Sequence, residues 1–280
     1  MRLAAELPGG LSSSQIDTCR SLGLTGIGFD IDASLDLDDA RRLVAPFQDA
    51  GLTIVQLGCY RNLISQDAGV RMAAIADVAG AMNVAGRLGI EAVVCGGGHM
   101  DPTKPSARRS VHRDNWTDKA LGQMIESCRQ IANKIHDHAA PLCFEPWVIT
   151  SLNTPARLER LVRALDHPKF AVELDLANLV TIERYFETAG LITECFERFG
   201  DKIRIVHLKD VVLTPEPYIY HLGEAVVGDG NIDYGVMLQL LARNSTDASL
   251  MIEHLKSGDD ARRAVEHMRS IAAQAGVELS

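Results

Sequence analysis

The sequence predicts an α/β fold, a (β/α)8 TIM barrel built as a single domain over residues 1–280. Three observations predict it. Eight short apolar runs recur, each with longer, helix-like stretches between them. The alternation fills roughly 250 residues, the usual span of such a barrel. The glycine fingerprint of a doubly wound nucleotide-binding sheet is missing. "GGG" at 96–98 and "GDG" at 228–230 fit neither G-x-G-x-x-G nor the Walker A spacing. No linker or low-complexity stretch divides the chain.

In order, the first runs are "LAAEL" (3–7) and "TGIGFD" (25–30). "LDLDDARRLVAPFQDA" (35–50) opens with acids suited to a helix N-terminus and stops at Gly51. "TIVQLG" (53–58) is the third run. The helix-like stretch 68–89 puts Met72, Ile75, Val78, Ala79 and Met82 on one stripe and ends on glycine. "IEAVVCG" (90–96) precedes a stretch at 117–139 with Leu121, Met124, Ile125, Cys128 and Ile131 in helical phase. "PLCFE" (141–145) is followed by 153–165, where Thr154-Pro155 reads as a cap and a first-turn proline. "FAVELD" (170–175) leads to a long stretch, 179–200, expected to break at Gly190. "IRIVHL" (203–208) leads to an expected long loop, 211–230, and a helix over 232–243. "SLMIEH" (249–254) and a helix over 259–276 close the series.

Composition bounds the function. Hydrophobic residues make up 46% and aromatics 5%, so the core is mostly Leu, Val, Ile and Ala. A net charge of -9 repels a polyanion, so no nucleic-acid partner is expected. No apolar run approaches the roughly 20 residues of a membrane span, and "MRLAAELPGG" does not read as a secretory signal. Cys19, Cys59, Cys95, Cys128, Cys143 and Cys195 form no C-x-x-C. They read as free, buried thiols of a cytoplasmic protein.

In a parallel barrel alternate strand residues face inward, and the active site lies at the C-terminal ends of the strands. The fifth run ends at Glu145 and the sixth at Asp175; the seventh reaches His207 and the eighth Glu253. Their spacings are 30, 32 and 46 residues. The first two suit one βα unit each; the third suits a unit with a long loop. Three carboxylates and one imidazole offer mainly hard oxygen donors plus nitrogen, a mix suited to Mn²⁺, Mg²⁺ or Co²⁺ with positions left for substrate. Each residue alone has a plainer use. Glu145 could pair with a basic side chain, Asp175 could cap a helix, His207 could be a hydrogen-bonded core histidine, and Glu253 could be a rim charge. Four successive strands ending on E, D, H and E favour the metal reading. Glu173 shares the parity of Asp175 and is expected deeper in the barrel, with no partner evident.

These ligands and the contexts "FEPW", "LDLAN", "VHLKD" and "GDGNIDY" resemble the xylose isomerase-like TIM barrels of the sugar phosphate isomerase/epimerase family. That group includes inosose isomerases and dehydratases and endonuclease IV. The resemblance implies that Glu145, Asp175, His207 and Glu253 hold one divalent ion, Mn²⁺ first, with Mg²⁺, Co²⁺ or Zn²⁺ as alternatives. It also implies that Glu145 and Glu253 flank the substrate as an acid/base pair. Lys209 and Asp210 match an H-x-K-D pattern, and "VGDGNID" matches a turn leading to a helix capped near Asp233. A homodimer or homotetramer is implied as well. The sequence departs from ketose 3-epimerases at three substrate-contacting positions: Asn178 stands for His, Leu213 for Arg and Ser151 for Glu. "HLKD" also lacks the D-x-H that an endonuclease IV-like nuclease needs.

The expected activity is a metal-dependent isomerase or epimerase on a sugar, keto-sugar, polyol or inosose. A metal-held carbonyl polarises, a carboxylate removes the adjacent proton, and an enediolate forms. The alternative is a lyase or dehydratase sharing that first step, of the inosose or dehydroshikimate type or acting on an oxidised sugar. A non-catalytic sugar-binding module is the remaining class. Other expected pocket residues are His99 after "CGGG", Trp147 beside Glu145, and His221 in the long loop. The basic loop 104–116, with Arg108, Arg109, His112, Arg113 and Trp116, reads either as a lid that holds an anionic or sugar substrate or as a solvated loop. Glu6 and Asp30 end the first two strands and could contact hydroxyls. His254 has the opposite parity to Glu253 and is expected to face the helices.

Overall fold

The computed structural model describes residues 1–7, 12–30, 36–216, 219–244 and 247–280. The described strands are β1 (Leu3–Ala5), β2 (Gly26–Asp30), β3 (Thr53–Gly58), β4 (Ala92–Gly96), β5 (Leu142–Glu145), β6 (Phe170–Asp175), β7 (Ile203–Leu208), β8 (Asp210–Glu216), β9 (Ile219–Ala225) and β10 (Ser249–Ile252). β8 and β9 pair antiparallel with each other, and the other eight close into a parallel barrel. The described helices are α1 (Ser13–Leu22), α2 (Leu37–Asp49), α3 (Ala68–Arg87), α4 (Asp118–Ala132), α5 (Pro155–Leu165), α6 (Thr188–Phe199), α7 (Tyr234–Arg243) and α8 (Gly258–Ala275). The expected (β/α)8 barrel is the fold.

Local chemistry sets the helix starts. Asp36, Asp67, Thr117, Thr154, Asp233 and Ser257 each accept a backbone N–H of the first turn through the side chain. Two apolar layers follow from strand alternation. Ala4, Val55, Ala92, Val94, Cys143, Ala171, Ile205 and Met251 pack together inside the barrel. Their neighbours along the strands, such as Phe144 and Leu174, join the larger core between sheet and helices. Phe144 stacks there on Phe170, with ring centroids 5.9 Å apart.

The alternation slips at two places. Ile27 pairs with Ile54 but Gly28 pairs with Gln56, so Val55 is an extra residue on β3. A similar shift leaves Arg204 extra on β7. The β3 bulge lets Gln56 reach into the barrel. Gly28 makes room for it, because a Cβ there would come within 1.7 Å of Met251 Cε and 2.7 Å of Gln56 Cγ.

Several expectations are corrected. The supposed loop after β7 is largely the β8–β9 hairpin. Gly190 does not break a helix but lies in the first turn of α6; the interruption is the pair of 3₁₀ turns at Ala177–Leu179 and Ile182–Arg184. The stripe residue Met72 is 47% exposed. The fourth helix stops at Ala132, short of 139. Helix α1 went unseen because "SSQIDTCRSL" is polar and buries only Gln15 and Cys19. All six cysteines are free and buried. No helix among the described residues is long and apolar enough to cross a membrane.

Candidate active site and metal centre

Strand register brings the ligands together. Asp175 on β6 pairs with His207 on β7, Gly96 on β4 pairs with Glu145 on β5, and Glu253 follows the end of β10 with its N–H on Leu208 O. Glu145, Asp175 and His207 each place a donor atom within 4.8 Å of the others. Glu253 falls in a second such group with Glu6 and His254, although its Oε1 is only 3.2 Å from His207 Nδ1.

Asp175 is fully buried. Its Oδ1 accepts the Asn178 N–H at 3.0 Å, so it caps the turn after β6 while Oδ2 is buried beside Lys209. Oδ2 lies 2.7 Å from Lys209 Nζ but out of line for a hydrogen bond. Lys209 Nζ donates to Glu253 Oε1 at 2.6 Å. His207 is held from two sides: its Nε2 is 2.7 Å from Gln56 Oε1, and its backbone N–H donates to Glu173 Oε1 at 3.2 Å. Its Nδ1 has no partner in line. Glu173 thus finds a partner in His207, as the parity argument alone could not show.

Burial acts on every charge here. It lifts the Glu145 carboxyl to about 7, with Asp175 and Glu253 adding to the rise against His207. Burial also holds Glu173 well above the carboxylate range, and it raises Asp175 despite Lys209. Burial would raise Glu253 too, but His207 and Lys209 outweigh it and pull the carboxyl down. Burial alone would lower His207, but Glu173 and Glu253 outweigh it and raise the imidazole to about 10.

This donor set fits a divalent cation. Three donors already converge, and two of the orphaned buried atoms, Asp175 Oδ2 and His207 Nδ1, belong to them. Carboxylate and imidazole donors of this kind take Mn²⁺, Mg²⁺ or Zn²⁺.

The centre opens into a cleft of about 260 Å3. Of the residues singled out in sequence, Glu145, Trp147, Asn178, Lys209 and Glu253 line it, as do Glu6 and Asp30. Asn178 donates to Glu145 Oε1 at 2.7 Å. Four expected substrate residues lie elsewhere. Asp210 is buried, and its carboxylate accepts the N–H groups of Val211, Gly228 and Ile232, which folds the end of the hairpin onto α7. His99 is fully buried behind the cleft wall between Asn62 and Ala107 O. Trp116 is half exposed and donates to Val148 O. His221 is an exposed residue of β9, outside the cleft lining.

Other lining residues went unseen. Gln56 was hidden by the β3 bulge, which defeats simple alternation. His254 was expected to face the helices, but the strand ends at Ile252 and His254 takes φ 55, so parity no longer governs it. It lines the cleft and pairs with Glu224 of β9 at 2.9 Å. Tyr60 completes one wall together with Arg108 and Arg109, the two arginines that the sequence had placed in a loop able to hold an anionic or sugar substrate.

A comparison with curated proteins finds no match. Among solved structures, the barrel is similar to a D-psicose 3-epimerase with D-tagatose from Clostridium cellulolyticum H10 (TM-score 0.72, 16% identity, covering 97% of this chain and 99% of that one). It is similar to a mannonate dehydratase from Streptococcus suis serotype 2 (TM-score 0.73, 14% identity, 99% and 95%). It is also similar to a xylose isomerase-like TIM barrel protein from Mycobacterium smegmatis in complex with magnesium (TM-score 0.70, 18% identity, 98% and 97%). At these identities the likeness carries the fold. A family model matches residues 16–271, and by that match the chain belongs to the xylose isomerase-like TIM barrel family.

Proposed function

We propose that the protein is a divalent-metal-dependent isomerase or epimerase acting on a sugar, keto-sugar or inosose by proton abstraction beside a carbonyl. One observation carries this reading: Glu145 and Glu253 line the same small cleft, and the donor atoms of Glu145, Asp175 and His207 converge beside it. Glu145, Asp175 and His207 would hold the cation, with Glu253 beside them. When bound, it would polarise a substrate carbonyl and favour negative charge on its oxygen.

The chain's own residues supply the proton handling. Glu145 Oε1 accepts from Asn178, which fixes the carboxylate against the cleft. Burial lifts this carboxyl to about 7 in the metal-free protein; with a cation held beside it the group would be ionised, and so able to accept the substrate's proton. Glu253 stays ionised beside Lys209, so it can orient a substrate hydroxyl by accepting its hydrogen bond. The activities named for two similar structures, a 3-epimerase and a dehydratase, agree with a first step of this kind.

The test is incubation in deuterated water with Mn²⁺ and a panel of ketoses, inososes and 3-keto sugars. The expected result is deuterium at the carbon next to the carbonyl with the substrate's composition otherwise conserved. Loss of water with new ultraviolet absorbance would move the reaction to elimination instead. Glu145→Gln should slow exchange by about 10²–10⁴-fold. Full-rate exchange by that variant would remove Glu145 from the role.

A further inference from the structure

The cleft wall contributed by the segment after β4 carries two adjacent guanidinium groups, Arg108 and Arg109. The segment that presents them is fixed on both sides. On one side, Asn62 Nδ2 donates to Pro105 O at 3.0 Å, and buried His99 Nε2 lies 2.9 Å from Ala107 O. On the other, Asn115 Nδ2 donates to Ser110 O at 2.9 Å, and Ser110 Oγ donates to Asp101 at 2.6 Å. His99 and Asn115 are both fully buried. Polar side chains of this kind are kept in a core only where every group finds a partner, so the loop backbone is a built feature.

The two arginines differ in what they face. Arg108 pairs with Asp30 at 2.9 Å and lies 3.5 Å above the Tyr60 ring. Its charge is compensated. Arg109 lies 5.1 Å from the centre of the Trp147 ring, and among the described residues it has no ion-pair partner. Lys209, the remaining cation of the cleft, is compensated by Asp175 and Glu253. One uncompensated guanidinium, backed by an aromatic face on a fixed loop, therefore lines a cleft otherwise rich in carboxylates. Arg109 is exposed, and a neutral sugar would leave its charge to water alone. Arginine in such a setting recognises a carboxylate or phosphate through a two-pronged hydrogen bond.

We infer that the substrate carries an anionic group, a carboxylate or a phosphate monoester, that Arg109 binds at the Trp147 side of the cleft. The inference rests on the proposed sugar chemistry and narrows it to acidic or phosphorylated sugars. The anion sits at the arginine wall because Glu6, Glu145, Glu224 and Glu253 elsewhere in the cleft would repel it.

The test uses the Mn²⁺-loaded protein with three probes: D-fructose, D-fructose 6-phosphate and a ketohexuronate. Affinity is read by calorimetry and proton abstraction by deuterium uptake. At least one anionic probe should bind tenfold or more tighter than fructose, and which one does so separates phosphate from carboxylate. Arg109→Ala should collapse that ratio, and Arg109→Lys should retain part of it. Arg113→Ala removes the same charge from a residue of this segment that does not line the cleft, and should leave the ratio unchanged. Equal binding of all three probes, binding of none, or a ratio that survives Arg109→Ala overturns the inference. Exchange on fructose without anion preference would keep the proposed reaction and sink the anion site. Arg109-dependent anion preference without exchange on any probe would do the reverse.

Discussion

At the scale of single residues, the His207 imidazole decides how the centre works. Gln56 Oε1 accepts from Nε2, so the other nitrogen is the one left facing Glu173 and Glu253. Partners of this sort fix ring orientation, and losing one typically costs 10–100-fold in metal affinity. Gln56→Leu should therefore weaken Mn²⁺ binding by about that factor, read by titration calorimetry, while the far-ultraviolet dichroism stays that of the native barrel. Unchanged affinity would show that Gln56 only fills space. Residue-scale legibility divides along the same line. Glu145, Asp175, His207 and Glu253 could be picked out because each is the last inward residue at a strand end, where alternation still holds. Gln56 lies beyond a bulge and His254 beyond a strand end, and at both places the two-residue period fails. Glu173 was placed correctly in depth, but its partner comes from the neighbouring strand, and a single strand's pattern carries no such information.

At the scale of elements, the barrel strands were legible because buried parallel strands are short apolar runs bounded by turn residues. The β8–β9 hairpin was not. Its second strand, "IYHLGEA", is largely exposed and alternates no apolar face, so it reads as loop. Yet it carries Glu224 into the cleft. The segment after β4 is the other element, and there only the structure gives how the basic loop is anchored. His99 read as a cleft residue because it follows three glycines, whereas it is the internal post of the arginine-bearing loop. Removing the post should release the loop. His99→Ala leaves Ala107 O without its donor and the Asp101 N–H without its acceptor, a cost of about 1–3 kcal/mol. The loop offers trypsin Arg108, Arg109 and Arg113, Lys104 being shielded by the Pro105 that follows it. Cleavage within 104–113 should accelerate at least tenfold in the variant, followed by mass spectrometry under native conditions. Equal cleavage rates in both proteins would mean that the loop does not depend on His99.

At the scale of the whole molecule, the barrel gathers charge at one end and balances it without a metal ion through Lys209 and by holding extra protons. Glu145 keeps a proton up to about 7 and His207 up to about 10. Both values lie above the ordinary ones, so in the metal-free protein folding takes up protons. The contribution of His207 is present below its ordinary 6.5 and is lost as pH rises through about 10. Glu145 likewise makes the metal-free fold less stable as pH climbs from 4.5 to about 7. A divalent cation requires the carboxylate and the neutral imidazole, so its uptake must expel these protons. Mn²⁺ binding should release about two protons at pH 6 and about one at pH 8, and affinity should rise across that interval. Calorimetry in two buffers of different ionisation enthalpy counts them. With free Mn²⁺ at about 100 times the dissociation constant, the fold should gain about 2.7 kcal/mol. For a chain of this size that raises Tm by roughly 5–10 °C. At a fixed Mn²⁺ concentration the gain should be larger at pH 8 than at pH 6, because fewer protons compete, and chelation should abolish it at both. A proton count near zero at both pH values would mean that Glu145 and His207 do not meet the cation. Proton release without a change in Tm would mean that the cation binds folded and unfolded chains alike, and the site would then not be preorganised by the barrel.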